Sequence, residues 1–268
     1  MENIISLGHI NFKYKEKEIF KDFSISIKEG TYLNIIGLNG SGKSTLIRII
    51  VGLLKSEGKV IIDNEELGYK TVKNIAKKIG MVFENPDNQF VGETVRADIA
   101  FSLENMCEKS SIIFEKVKEI SEYVGITHLL DREPHKLSGG EKQLVALASA
   151  LVIKPKILIL DEALSMLDPD IKSHIYEILK EENEKGTTII NVTHDNEEVV
   201  NGSEIAVLHD GKLLLYGDKY EVLKEEKIFN TIGLSLPFMA ELSIKLMYYE
   251  LIDSIILDMD EMVNVLWK

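Results

Sequence analysis

The sequence is poor in the features that mark an oxidised, nucleic-acid-binding or membrane-spanning protein. It has one cysteine, Cys107, so no internal disulfide can form. That suits a reducing compartment, and the expectation for Cys107 is a small apolar thiol packed in a core. Positive charge is scarce: 31 Lys and Arg face 44 Asp and Glu, leaving a net charge of −13. Phosphate backbones attract basic surfaces, so no nucleic-acid partner is expected. No apolar run approaches the ~18 residues of a membrane span. The opening stretch "MENIISLGHI" lacks the basic start and apolar core of a secretory signal. Any membrane role is therefore expected to act through a partner. Internal repeats and low-complexity tracts are also missing.

Apolar residues make up 45% of the 268, enough for one large domain or two modest ones. Residues 1–30 read as strands, with Phe23, Ile25 and Ile27 alternating against polar neighbours. "TYLNIIG" is a compact apolar strand ending in glycine, and "KSTLIRIIVGLL" has helical spacing with Gly52 near its end. "KVIIDNEEL" reads as a short strand and a turn. Residues 86–153 change character: "ETVRADIAFSLENM", "IIFEKVKEISEYVG" and "GEKQLVALASALVI" are helical, as in a helical subdomain inserted into an α/β core. "KILILDEA" and "TTIINVTHD" return as buried, parallel-type strands. Between them "IKSHIYEILKEENEKG" is an amphipathic helix closed by Gly186. Strands alternating with helices after a glycine-rich first turn indicate a mostly parallel sheet. Residues 219–268 form a separate tail, with Ser235 and Pro237 expected to start one helix and Asp258 and Glu261 to cap a last one ending at Trp267.

Two stretches are suited to anions. Gly37-x-x-x-x-Gly42-Lys43-Ser44 follows an expected strand and opens an expected helix, the context a phosphate loop requires. Its glycines let backbone N–H groups wrap phosphates, Lys43 supplies a point charge, and the Ser44 hydroxyl suits Mg2+. A hundred residues on, "KLSGGEKQ" places Ser138, Gly139 and Gly140 at the start of another helix. An ordinary helix cap explains the serine but not the paired glycines. "ILILDE" sets Asp161 at the C-terminal end of a strand, where α/β sheets bind ligands. Asp161 there suits Mg2+, and Glu162 suits orienting or deprotonating water; the blander alternative is that both cap the next helix. His194 again ends a buried strand. A lone histidine is more often structural, but its neighbours favour a γ-phosphate contact.

Together these pieces resemble the ATP-binding cassette (ABC) ATPase family, over nearly all of residues 1–218. "GLNGSGKST" looks like Walker A, so the resemblance implies ATP binding by Gly37, Asn39, Gly40, Ser41, Gly42, Lys43, Ser44 and Thr45. "ILILDE" looks like Walker B, "SMLD" like the D-loop ending in Asp168, and His194 like the switch histidine. Tyr14 stands where the family stacks an aromatic on adenine; strand packing is the alternative. The implied fold is a P-loop cassette: a mostly parallel core sheet, an N-terminal antiparallel β subdomain, an inserted helical subdomain and a small C-terminal helical extension. In this family two cassettes pack head to tail around two ATPs. "LSGGE" then looks like the signature, with Ser138, Gly139, Gly140 and Glu141 serving the partner's nucleotide, which accounts for the second anion loop.

"VFENPDNQFVGETV" and the tail "GLSLPFMAEL … LW" are more narrowly similar to the ATPases of energy-coupling factor (ECF) transporters, which import vitamins and metal ions. The resemblance implies an ATPase that uses ATP and Mg2+ at the cytoplasmic face of a membrane. Its implied partners are a second ATPase, identical or paralogous, a transmembrane coupling protein and, through that, a substrate-binding membrane protein. Residues 219–268 would help the ATPases pair. Four positions depart from the pattern. Glu84 stands at the Q-loop glutamine, adding charge beside ATP while still able to ligate metal. Glu141 replaces a usual glutamine, Leu144 a frequent arginine and Leu38 a common proline. Gln89 does not occupy the Q-loop position. Two other readings stay open on the sequence: a soluble ABC ATPase acting on DNA or ribosomes, and a cassette that binds ATP as a switch without hydrolysing it.

Overall fold

The computed structural model describes residues 2–267. Strands β1 (Asn3–Tyr14) and β2 (Lys17–Lys28) form an antiparallel hairpin, then β3 (Tyr32–Ile36) leads into helix α1 (Lys43–Ile50). β4 (Glu57–Ile62) and the short β5 (Glu65–Glu66) follow, joined by Asp63 and Asn64, both with left-handed φ (47° and 63°). Two adjacent residues of that conformation make the tight turn between them, and Asp and Asn tolerate it best. α2 (Val72–Ala76) and β6 (Ile79–Phe83) complete the first half.

The middle is helical: α3 (Val95–Glu104), α4 (Ser110–Val124) and α5 (Gly139–Leu151). Then come β7 (Ile157–Asp161), α6 (Pro169–Glu184), β8 (Thr188–Val192), β9 (Glu204–His209) and β10 (Lys212–Asp218). Four helices end the chain: α7 (Lys219–Leu223), α8 (Glu226–Ile232), α9 (Phe238–Tyr248) and α10 (Met259–Leu266).

Two sheets result. One is antiparallel, in the order β2-β1-β4-β5; the other runs β10-β9-β3-β8-β7-β6. In the second, β9, β3, β8, β7 and β6 are parallel and β10 is an antiparallel edge. The parallel strands are apolar on both faces because both are covered. Ile157 and Ile159 turn toward α1 and the first sheet, while Leu158 and Leu160 turn toward α3, α4, α5 and α6. The interior of this sheet is not wholly apolar: Asn34, inside a stretch that reads as an apolar strand, is fully buried. Its amide donates to Val199 O (3.2 Å) and its Oδ1 accepts from Asn191 Nδ2 (3.1 Å), so both halves are satisfied.

Two local expectations need correction. Cys107 is exposed rather than buried. α3 stops at Glu104, and Cys107 lies beyond it in a turn with φ 60°, off the helix's apolar face. Ser235 does not cap α9. The N-cap position belongs to Pro237, which has no side-chain acceptor to offer; Ser235 Oγ pairs instead with Asn196 Nδ2 at 3.2 Å. At the last helix Asp258 does accept from Glu261 N (2.8 Å).

The tail packs on its own chain. Leu234, Leu236, Ala240 and Ile255 share a core with Val199 and with Ile205 and Val207 of β9. A smaller cluster of Met239, Ile252, Ile256 and Met262 joins α9 to α10, with the buried Ser243 hydroxyl donating to Ile256 O at 2.8 Å. The extension also leaves apolar residues exposed, at Tyr248, Tyr249, Leu251 and Trp267, which is 79% exposed.

Candidate active site

Strand register gathers the site. Phe83 pairs with Asp161, Asp161 with Val192, and Val192 with Ile35. The residues just past these strand ends are Glu84, Glu162, His194 and Gly37, so four distant segments meet in one row at the carboxyl edge of the sheet, where such sheets bind ligands.

The phosphate loop is shaped by its close contacts. A side chain at Gly37 (φ 154°) would meet Leu208 O at 2.1 Å, and one at Gly42 (φ 109°) would press on the Phe20 ring at 3.0 Å. Both positions therefore demand glycine. Through Phe20 the loop rests on the β1–β2 hairpin, whose tip carries Tyr14, partly exposed and edge-on to Phe12 with centroids 4.8 Å apart. Lys43 is buried, and its ammonium donates to Gly37 O (2.7 Å) and Leu38 O (3.4 Å). Burial pushes that ammonium below its ordinary pKa, against the pull of Glu162 and Asp161. Ser41 is buried with no hydrogen-bond partner for its Oγ, an orphan that a phosphate oxygen at the loop would satisfy.

The carboxylates complete a chain of contacts. Ser44 Oγ donates to Asp161 Oδ1 at 3.2 Å. Burial holds the Asp161 carboxyl above its usual range; the Ser44 hydrogen bond opposes this, while the charges of Glu162 and Glu84 add to it. Glu84 itself is exposed. Glu162 has φ 54°, a costly conformation for a residue with a Cβ. It directs one oxygen to within 3.9 Å of Lys43 Nζ and the other to 3.0 Å from His194 Nδ1. A carboxylate only accepts, so that nitrogen carries the proton.

The second glycine-rich stretch lies at the start of α5. Ser138 is the N-cap: its Oγ accepts from Glu141 N (3.3 Å), and Glu141 Oε2 accepts from Ser138 N (2.7 Å), a complete capping box. These bonds, with Arg132 nearby, hold the Glu141 carboxyl below its usual range. The two glycines differ. A Cβ at Gly140 would meet Ile171 Cδ1 of α6 at 2.0 Å, whereas one at Gly139 meets nothing within 4 Å. A Cβ at Gly140 displaces only the tip of the Ile171 side chain, and one at Gly139 displaces nothing inside the chain. Asp168 caps α6, accepting from Ile171 N at 3.1 Å.

A family model described as ABC transporter matches residues 20–165. The chain belongs to the ABC transporter family. Among curated relatives, this ABC protein is similar to the energy-coupling factor transporter ATP-binding protein EcfA1 of Leuconostoc mesenteroides subsp. mesenteroides. The two are 44% identical over 250 residues, covering 92% of each chain. Among solved structures it is similar to cbiO1 from Clostridium perfringens, part of the ABC transporter complex cbiONQ. The TM-score is 0.78, at 35% identity over 91% of this chain and 99% of that one. It is also similar to the ATP-binding cassette MJ0796 in a dimeric, post-hydrolysis state bound to ADP and Pi. There the TM-score is 0.73, at 30% identity over 80% of this chain and 98% of that one. Within its family this ABC ATPase groups with the ATP-binding subunits of energy-coupling factor transporters.

Several residues that shape the site of this ABC ATPase have no motif to announce them. Gln143, buried in α5, donates to Phe83 O (3.0 Å), and Lys142 pairs with Asp87 (2.7 Å), so the signature helix is tied to the segment that carries Glu84. Gln89 is spent on β6, donating to Met81 O at 2.9 Å. Asp98, buried, accepts from Val91 N, Gly92 N and Ser149 Oγ. Helical periodicity marks Gln143 and Asp98 only as polar residues among apolar ones, which is the one signal that points to them. A cavity of about 620 Å3 opens elsewhere, beside Lys154, Pro155, Gly186 and Thr187. It faces the amino-terminal ends of β7 and β8, away from this site.

Proposed function

We propose that this ABC ATPase powers an ECF-type importer of vitamins or metal ions, and that it hydrolyses ATP in a head-to-tail pair with a second ATPase. The observation that carries the reading is the unbroken contact chain Lys43–Glu162–His194 beside the Ser44–Asp161 pair. Lys43 and the loop amides bind phosphate; Asn39, Gly40, Ser41 and Thr45 shape that cradle, and Tyr14 offers its ring to adenine. Glu162 takes up the proton of the attacking water, and His194 holds its second oxygen and faces the γ-phosphate. Ser44 and Asp161, two hard oxygen donors side by side, fit Mg2+, with Glu84 close enough for its charge to act on Asp161. Bound Mg2+ offsets the charge of the phosphates during transfer.

Ser138, Gly139, Gly140 and Glu141 receive the partner's nucleotide. The open space over Gly139 supports this, and Asp168 accompanies them at the interface. Residues 1–218 form the ATPase domain, with 86–153 its helical subdomain, and 219–268 a pairing extension whose exposed Tyr248, Tyr249, Leu251 and Trp267 suit that use. Among the described residues no helix is long and apolar enough to cross a membrane. The subunit therefore acts peripherally, at the cytoplasmic face, through a transmembrane coupling protein that serves a substrate-binding membrane protein.

Mixing two inactive variants tests the head-to-tail pair, in the transporter complex if the partner ATPase is a paralogue and in the purified subunit if it is identical. Ser138→Arg leaves its own phosphate loop intact, and Lys43→Ala leaves its own signature intact. Where the chain pairs with itself, mixing restores up to about half of the phosphate release if the two sites act independently. Where it pairs with a paralogue, Ser138→Arg disables only the paralogue's nucleotide and Lys43→Ala only this chain's. Loss of ATP binding by the isolated Ser138→Arg subunit would overturn the arrangement, since the signature would then serve its own nucleotide.

A further inference from the structure

The segment that follows His194 is gripped from two sides. Asp195 caps a short 3-10 turn, Asn196–Asn201, by accepting from Glu197 N at 3.1 Å. On the inner side, buried Glu198 and Asp195 share the ammonium of Lys172 on α6 (3.1 and 3.2 Å), and Asn191 donates to Glu198 at 3.3 Å. On the outer side, the grip comes from the C-terminal extension. Glu197 Oε1 accepts from the backbone N–H of Phe238, the first residue of α9, at 2.7 Å. Asn196 Nδ2 pairs with Ser235 Oγ at 3.2 Å, while its own Oδ1 is buried without a partner. Val199, fully buried, lies in the same core as Leu234, Leu236 and Ala240 of the extension.

The first amides of a helix have no internal acceptor, and α9 begins after a proline that cannot supply one. A carboxylate 41 residues away does, at the end of the helix that favours negative charge. It lies three positions after His194, whose imidazole sits 3.0 Å from Glu162. We propose that Glu197 is a positioning residue for ATP hydrolysis. By capping α9 it fastens the switch segment to the C-terminal extension, so that the seating of the extension sets the reach of His194 toward the active site. The inference rests on the reading of His194 as a contributor to turnover.

Its test uses steady-state phosphate release by the assembled transporter complex, together with ATP affinity and melting temperature of the subunit. Glu197→Ala lowers kcat about fivefold with ATP affinity unchanged, and Glu197→Gln, which keeps an acceptor oxygen, restores it. Phe238→Pro approaches the same bond from the other side. It deletes the N–H, yet proline is favoured at the first helical position, and Pro237 already has the extended backbone (φ −53°, ψ 143°) that a following proline requires. Phe238→Pro therefore reproduces the kcat loss of Glu197→Ala, and the double variant is no worse than either alone. Phe238→Ala keeps the N–H and turns over normally. Wild-type kcat in Glu197→Ala and Phe238→Pro, beside a clear loss in His194→Ala, overturns the proposal alone. An equal loss in Phe238→Ala does so too, because the ring rather than the hydrogen bond would be responsible. No loss in His194→Ala overturns the underlying role of the histidine, and the proposal with it.

Discussion

Replacing Gly139 by alanine separates two demands that the signature glycines meet. Inside the chain nothing opposes the change, because a Cβ there has no neighbour within 4 Å and the backbone is already helical. Helix propensity favours alanine by up to ~1 kcal/mol, which raises the melting temperature of the isolated subunit by about 2–4 °C at most. Gly140→Ala gains the same propensity, but its Cβ would lie 2.0 Å from Ile171 Cδ1, so the tip of that side chain has to turn away, at a cost of about 0.5–1.5 kcal/mol. It therefore melts below Gly139→Ala. Activity separates them in the opposite sense. If the partner's γ-phosphate closes onto Gly139, the new methyl group holds it away by ~1 Å, and a displacement of that size costs on the order of 10²-fold in rate. Nucleotide affinity of the isolated subunit, measured by calorimetry, stays unchanged, since its own phosphate loop is untouched. Wild-type phosphate release by the Gly139→Ala complex refutes this reasoning, because Gly139 would then face solvent in the working enzyme.

Three further outcomes are expected. Glu162→Gln keeps ATP binding but slows phosphate release by roughly 10²–10⁴-fold, the usual effect of losing a general base; normal turnover would mean that another group activates the water. Glu84→Gln removes a negative charge beside Asp161, and turnover at neutral pH is equal or faster. A severe loss would show that the carboxylate has a task of its own. Asp161→Asn abolishes turnover yet raises the melting temperature of the nucleotide-free subunit at neutral pH. The Asp161 carboxyl is held above its ordinary value, so the native state prefers it protonated, and ionisation costs stability as pH rises through the folded pKa. The gain therefore fades in acid, below the unfolded value, and a gain that is equal at all pH values would contradict this cause.

What the sequence disclosed was local. A glycine-rich loop, a strand-end carboxylate and a helix cap are each written within a few consecutive residues, because each needs fixed backbone geometry there. The alternation of Phe23, Ile25 and Ile27 and the apolar run at Ile157–Leu160 likewise disclosed the two kinds of strand. Contacts between distant segments were not legible. Nothing near Phe238 says that Glu197 will cap it, and nothing near Gly140 says that Ile171 will crowd it. Asn34 lay hidden among apolar neighbours because its partner Asn191 is on another strand. Cys107 was misjudged because composition gives the preference of a residue type, whereas the end of α3 decides where this one points.

The exposure of Trp267 has a practical consequence. It is the only tryptophan in the chain and stands largely in solvent. Indole emission shifts to the blue when water leaves the ring, so intrinsic fluorescence of the unmodified subunit tests whether the extension is covered by a partner, as proposed. The sole thiol, Cys107, is exposed as well and accepts a maleimide dye without mutagenesis. With one signal from the extension and phosphate release recorded in parallel, rapid mixing with ATP gives the order of events, engagement before cleavage or after it.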